Sequence, residues 1–229
     1  MKKRHISLFI ISIFAFSVLG IAQTEVKKDT LLKKKSYGLR LGIDLSNPIR
    51  TALNNDRKSI ELVADYRITK NWYVATEIGF LNRFEQESYY DFTTKGQYIK
   101  LGANYNTYKN WLQMDNEIYV GFRYGFSSFS YEVSNITVES EAVLPFHTNE
   151  TQNYDNLTAS WFEFVAGFKV QIYPNIYLGT QFSLNKMLFQ KGNNSFKNLY
   201  VPGFNRVYLN KGGFGFNYTI SYRIPIKKK

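Results

Sequence analysis

From Tyr37 onward the sequence alternates apolar and polar residues with a period of two, in eight separate segments. They run over residues 37–45, 60–68, 72–80, 99–105, 117–126, 162–172, 176–184 and 214–224. Only an extended strand puts successive side chains on opposite faces, so each segment predicts a strand. Most are close to the ~9–11 residues that a tilted strand needs to cross a bilayer. No helical period of comparable strength and no second domain are visible. Tight turns are expected near Lys70-Asn71, Lys109-Asn110 and Pro174-Asn175, and longer connections over 47–58, 83–96, 128–160 and 186–212. Short turns at one end and long loops at the other are the pattern of an up-and-down outer-membrane barrel. The predicted fold is therefore all-β, an eight-stranded antiparallel transmembrane β-barrel. An even number of strands leaves both chain ends on the short-turn, periplasmic side.

Alternation alone does not distinguish a membrane barrel from a soluble, lipocalin-like one, and the contents of the two faces decide. The apolar face is rich in Phe, Tyr, Ile and Leu, too bulky for an eight-stranded lumen that ordinary side chains already fill. Most glycines (38, 42, 79, 102, 121, 125, 167, 179 and 215) lie on the polar face, where a crowded interior needs them. The same face carries Asp44, Glu61, Asp65, Glu77, Glu117 and Glu163 against Arg40, Arg67, Lys100, Arg123, Lys169 and Arg223. Equal numbers of opposite charges are what burial demands, because an unpaired buried charge costs several kcal/mol. The polar face is thus assigned to the lumen as a charge network, and the apolar face to lipid. Tyr37, Tyr66, Trp72, Tyr105, Trp111, Trp161 and Tyr222 near strand ends are expected in interfacial girdles. Pro225 suits the last residues of a strand, where a ladder donor can be spared.

The N-terminus predicts the compartment. Lys2-Lys3-Arg4, an apolar run from Ile6 to Val18, and Gly20-Ile21-Ala22 before Gln23 form a secretory pattern, too short for a spanning helix. Residues 1–22 are expected to be a signal peptide, 23–36 a flexible periplasmic lead-in rich in Lys, and 37–229 the barrel. The outer membrane is the expected location. Aromatic residues make up 17% of the chain, which excludes a disordered protein. Cysteine is absent, which excludes disulfides, cysteine metal sites, a cysteine nucleophile and a lipidated N-terminal Cys.

The segments YGLRLGIDLSNPIR (37–50), FTTKGQYIKLGANYN (92–106), WLQMDNEIYVGFRYGFSSFS (111–130), YVPGFNR (200–206) and GFGFNYTISYRIPI (213–226) resemble an uncharacterised family of small outer-membrane barrels from Bacteroidota, a domain of unknown function. The resemblance spans nearly the whole chain beyond the leader. It implies an outer-membrane location and supplies no catalytic residues. Asp29-Thr30-Leu31 resembles the O-glycosylation acceptor pattern of exported proteins from that group.

Little in the sequence supports chemistry. The one histidine beyond the leader, His147, lies in the third long loop near Ser140, Glu141, Thr148 and Glu150, and a general base needs a nucleophile within hydrogen-bond reach. Glu139 and Glu141 give only a faint divalent-cation pattern, and no phosphate-binding glycine loop occurs. A net charge of +11 raises nucleic acid as a ligand, but the basic residues are divided among lumen, loops and tail instead of sharing one face. Loop charge is the sharpest remaining feature. No Lys or Arg occurs between Tyr124 and Phe168, and no Asp or Glu after Phe164. The fourth loop interleaves Lys191, Lys197 and Arg206 with Tyr200 and Phe204, a candidate binding surface for lipopolysaccharide phosphates or an acidic partner, or else a cap paired with the third loop. The expected function is that of a non-enzymatic barrel without cofactor or metal, with a closed, salt-bridged lumen. It would contact outer-membrane lipid, lipopolysaccharide or a protein partner, but no nucleic acid, as a structural or accessory subunit of an envelope complex. A lipid-modifying rim enzyme and a narrow channel are the alternatives.

Overall fold

The computed structural model describes residues 37–53, 56–86, 88–108, 115–140, 143–148, 151–191 and 200–226. The leader, the lead-in, the Lys109-Asn110 turn, Trp111, Glu141, Glu150 and Lys197 lie outside them. In chain order the elements are β1 (Gly38–Asp44), α1 (Ser46–Leu53), β2 (Arg57–Arg67), β3 (Trp72–Gln86), β4 (Asp91–Asn106), β5 (Glu117–Ser134), β6 (Ile136–Ser140), β7 (Val143–Thr148), β8 (Gln152–Tyr173), β9 (Ile176–Gln190), β10 (Tyr200–Val201), β11 (Asn205–Arg206) and β12 (Gly212–Pro225). Eight of them close into a barrel in the order β1-β12-β9-β8-β5-β4-β3-β2. Closure is made by β1 against β12, with Gly38 opposite Pro225 and Asp44 opposite Thr219. It leaves the eight-stranded ring without an open edge.

The period of two in sequence becomes strict alternation of burial along the strands, most regularly on β5. Ile118, Val120, Phe122, Tyr124 and Phe126 point outward, and Glu117, Tyr119, Arg123 and Ser127 point inward. The outward belt is apolar around the ring and pairs aromatic residues across strands. Phe122 meets Phe164 at 5.4 Å, Tyr124 meets Phe162 at 5.6 Å, and Phe182 meets Phe216 at 5.0 Å between ring centroids. Such pairs add about 0.5–1.5 kcal/mol beyond the area they bury. At the turn end, Trp72 lies 5.1 Å from Tyr105 on the outer face. Among the described residues no helix is long and apolar enough to cross a membrane.

The structure departs from the sequence expectations in three places. The segments 83–96 and 128–160, expected as connections, are largely strand, with β5 reaching 18 residues and β8 22. These strands outrun the ~9–11 residues of a crossing and project beyond the belt at the long-loop end. Trp161 is fully buried in the lumen and takes no part in a girdle, because it shares the parity of Glu163 on β8. Finally, α1 occupies the start of the first long connection. Its sequence carries no extended helical period, and it is set up by Asp44, whose carboxylate accepts from the Ser46 amide at 2.9 Å, the Ser46 hydroxyl at 2.7 Å and Asn47 Nδ2 at 2.8 Å. Pro48 sits in the first turn, where a missing N–H leaves no bond unmade.

Candidate functional site

The lumen is filled in three tiers, counted from the turn end. The lowest alternates guanidinium and phenol groups. The Arg40 guanidinium lies 4.9 Å from the Tyr73 ring centroid and 5.2 Å from that of Tyr177, Arg67 lies 5.1 Å from Tyr73, and Arg223 lies 5.3 Å from Tyr177. Arg40 donates through Nε to Asp65 at 2.6 Å and through both terminal nitrogens to Glu117 at 2.8 Å each. Lys169 pairs with the other oxygen of Asp65. Below them Asp115 pairs with Arg223 and stands 3.8 Å from Arg67.

The middle tier centres on Lys100, whose ammonium is 3.1 Å from Glu77, 3.4 Å from Glu163 and 3.8 Å from Glu61. Arg123 meets Glu77 at 3.3 Å and Asn104 at 2.8 Å. Neutral donors add to these pairs, Tyr98 to Glu61 at 2.5 Å, Trp161 to Glu163 at 2.7 Å, Gln181 to Glu77 at 3.1 Å, and Asn217 to Glu61. Glu163 Oε2 is buried without a hydrogen-bond partner among the described residues. Between the two tiers a cavity of about 20 Å³, bordered by Asp65, Glu77, Tyr119 and Lys169, has room for about one water.

The upper tier is apolar, and the fourth loop supplies its lid. β10 and β11 form a hairpin, with Tyr200 opposite Arg206 and Val201 opposite Asn205, turned by Gly203 at φ 83°. The hairpin drops into the barrel mouth. Phe204 is fully buried, edge-on to Trp161 at 5.8 Å, and its carbonyl accepts from Asn185 at 3.3 Å. Tyr98, Phe92, Phe129, Tyr131, Val133 and Met187 complete the cluster on the barrel side. Burying a large apolar side chain contributes about 1.5–3 kcal/mol, so Phe204 favours the seated position of the hairpin. Gly79 and Gly125 clear the space for it. A Cβ on Gly79 would come within 2.3 Å of the Tyr98 ring, and one on Gly125 within 2.2 Å of Trp161.

All twelve residues assigned to the lumen from sequence face inward, and eleven of them are buried, Arg223 being half-buried. They are brought together in three ion-pair groups, around Asp65, Asp115 and Lys100, except Asp44, which caps α1 and accepts from the Tyr218 amide at 3.0 Å. Asp115 was missed because it lies in the 107–116 connection, outside any alternating segment. Of the proposed loop surface, Tyr200 and Phe204 are buried and only Lys191 and Arg206 are exposed. Burial raises the Tyr200 hydroxyl above its ordinary range, and its ring lies 3.9 Å beneath the Arg83 guanidinium. The third loop forms its own hairpin, β6 against β7, with His147 opposite Thr137. It meets the upper tier through Ile136. Among the described residues no group of three or more potential metal ligands occurs.

The model of one family, described as "Domain of unknown function (DUF6048)", matches residues 1–229. Among solved structures, the crystal structure of Ail, the attachment invasion locus protein of Yersinia pestis, is similar at 10% identity, with 83% of this chain and 99% of that chain covered and a TM-score of 0.43. No curated protein matches the sequence.

Proposed function

The chain belongs to the DUF6048 family, and from that premise we propose that it is a non-enzymatic outer-membrane barrel that works through its outward end instead of its lumen. The reading rests on one observation. Among the described residues the interior holds an Arg–Tyr tier, a Lys100-centred tier and an aromatic lid in series, which supports a closed lumen. A barrel that conducts or transports needs an aqueous or switchable lumen. Buried ion pairs resist being taken apart, because removing either partner strands a charge. What remains for interaction is the long-loop end, where β5 and β8 project with the β6–β7 hairpin and where Arg206 and Lys191 stay exposed. The apolar outer belt supports insertion in lipid, and the short connections and both barrel-strand termini at the opposite end support a periplasmic placement of that end. A structural or accessory role in an envelope complex fits these properties.

Purified protein in a planar bilayer should show no steady conductance, and reproducible open channels would defeat the closed-lumen reading. Affinity isolation of the tagged protein from native outer membranes should recover a defined envelope partner. Recovery of the chain wholly in the soluble periplasmic fraction would refute the location.

A further inference from the structure

The outer mouth holds a charge arrangement that the packed lumen does not use. Arg57, the first residue of β2, stands directly opposite Arg83 on β3. Like charges in a cross-strand pair repel, and only one of the two is compensated. Arg83 holds Glu85 through two donors at 2.8 and 3.1 Å. Arg57 donates only to neutral oxygens, Asn47 Oδ1 at 3.2 Å and Ser59 Oγ at 3.3 Å. Arg50, in the last turn of α1, lines the same cleft. Among the described residues neither Arg50 nor Arg57 has a carboxylate in ion-pair contact.

Two acids, Asp44 and Glu61, also line the cleft, and both are already engaged. Asp44 spends its oxygens on Ser46, Asn47 and the Tyr218 amide. Glu61 is held by Tyr98, Asn217 and Lys100. The lipid-facing belt of β2 begins at Ile60, so Arg57 lies beyond it. Burial first, and then the neighbouring Arg50 and Arg83, push its guanidinium down to about 10. Asn47 Oδ1 also accepts from Ser59 at 2.9 Å, so the Arg57 side chain is positioned by a short polar chain while keeping donors to spare.

We infer that the cleft between α1 and the outer end of β2 is an anion site that takes a phosphate group through Arg50 and Arg57. Two guanidinium groups offer the forked donors that phosphate oxygens match. The enclosed part of the cleft is only about 20 Å³ and the rest opens outward, which suits the end of a phosphate ester and not a whole ligand held inside. The ester can belong to a lipid headgroup or to a soluble phosphorylated molecule. The inference requires the barrel and its mouth, and it stands or falls independently of the closed-lumen and outer-membrane readings.

The test uses the full chain purified in detergent, with inorganic phosphate as probe and sodium chloride at matched ionic strength as control. Phosphate should raise the temperature at which the barrel unfolds, where chloride does not. Arg50→Gln and Arg57→Gln should each weaken phosphate binding at least about tenfold, the loss of a charge-assisted hydrogen bond. Without phosphate, neither variant should unfold earlier than the parent, since each removes a repelled and uncompensated cation. No phosphate response in the parent protein at millimolar concentration overturns the site. So does an undiminished response in both variants, or a lower phosphate-free unfolding temperature in both, which would make the arginines structural. Lipid A dispersed in the same detergent separates the sources. A lipid A response lost in Arg57→Gln assigns the phosphate to a lipid headgroup, and a phosphate response without one assigns it to a soluble ester, and either result upholds the site.

Discussion

Arg40 holds both carboxylate oxygens of Glu117 at 2.8 Å across the full width of the barrel. The two residues sit on β1 and β5, which are diametrically opposite in the closed ring. Lys169 on β8 reaches Asp65 on β2, and Gln181 on β9 reaches Glu77 on β3, in the same opposed relation. The lumen is therefore braced from wall to wall as well as along neighbouring strands. A brace of this kind fixes which residues face each other more than it adds net stability, since the desolvation of both ions offsets their attraction.

Removing one end of the brace should be far worse than removing both. Arg40→Met or Glu117→Leu alone leaves an uncompensated buried charge and should cost about 3–5 kcal/mol. The double variant should recover most of the loss. Urea unfolding of the refolded barrel in lipid vesicles measures all three, and equal, additive losses would show that the residues do not act as a pair.

Gly203 should tolerate no side chain. Its φ of 83° disfavours other residues, and a Cβ there would come within 2.6 Å of the Tyr98 ring and 3.1 Å of Trp161. Gly203→Ala should lift the β10–β11 hairpin out of the mouth, so that added protease cuts the fourth loop while the barrel strands stay protected. Phe204→Ala should act in the same direction by leaving a void beside Trp161, at a cost of about 3–5 kcal/mol. Unchanged cleavage in both variants would mean that the lid does not depend on this packing.

The barrel was legible because a strand with one lipid face and one filled face has no other way to be written than period two. The inward charges followed from parity alone, as did the glycines that make room for Trp161 and Tyr98. Connections carry no such periodicity, and the misreadings fall there. Phe204 and Tyr200 read either as a basic–aromatic binding surface or as part of a cap over the mouth, because sequence neighbours such as Lys197 and Arg206 are polar, and nothing local decides that the hairpin turns inward. Asp44 read as a lumen counter-charge because it continues the parity of Arg40 and Gly42. Its position at the last residue of β1, where the chain turns into α1, gives it a capping task instead.

Asp44 therefore predicts a different variant profile from the ion-paired acids. Asp44→Ala should cost about 0.5–2 kcal/mol, the usual range for a lost helix cap, and should expose the 46–56 segment to protease. Asp44→Asn keeps one acceptor oxygen and should fall between alanine and the parent. A loss from Asp44→Ala as large as that from Glu117→Leu would show that Asp44 belongs to the charge network after all.

The outer belt provides the sharpest test of whether the apolar face meets lipid. Phe122 lies midway along the crossing part of β5, is 66% exposed, and touches Phe164 on the neighbouring strand. In a barrel standing in water, Phe122→Arg would remove an exposed aromatic ring, lose at most the contact with Phe164, and improve solubility. In a bilayer, arginine at this depth costs about 2–4 kcal/mol. An arginine nearer the rim costs only about 0–1 kcal/mol, so Phe80→Arg, closer to the outer edge on β3, should be milder. Unfolding measured in vesicles, with Phe122→Tyr as the size-matched control, should give the order Phe122→Arg, then Phe80→Arg, then Phe122→Tyr, from most to least destabilised. The same variants in detergent micelles, which thin around a charge more readily, should differ less. Equal, small effects at both depths in vesicles would place the apolar face away from the hydrocarbon core, and the barrel would have to be read as a soluble one.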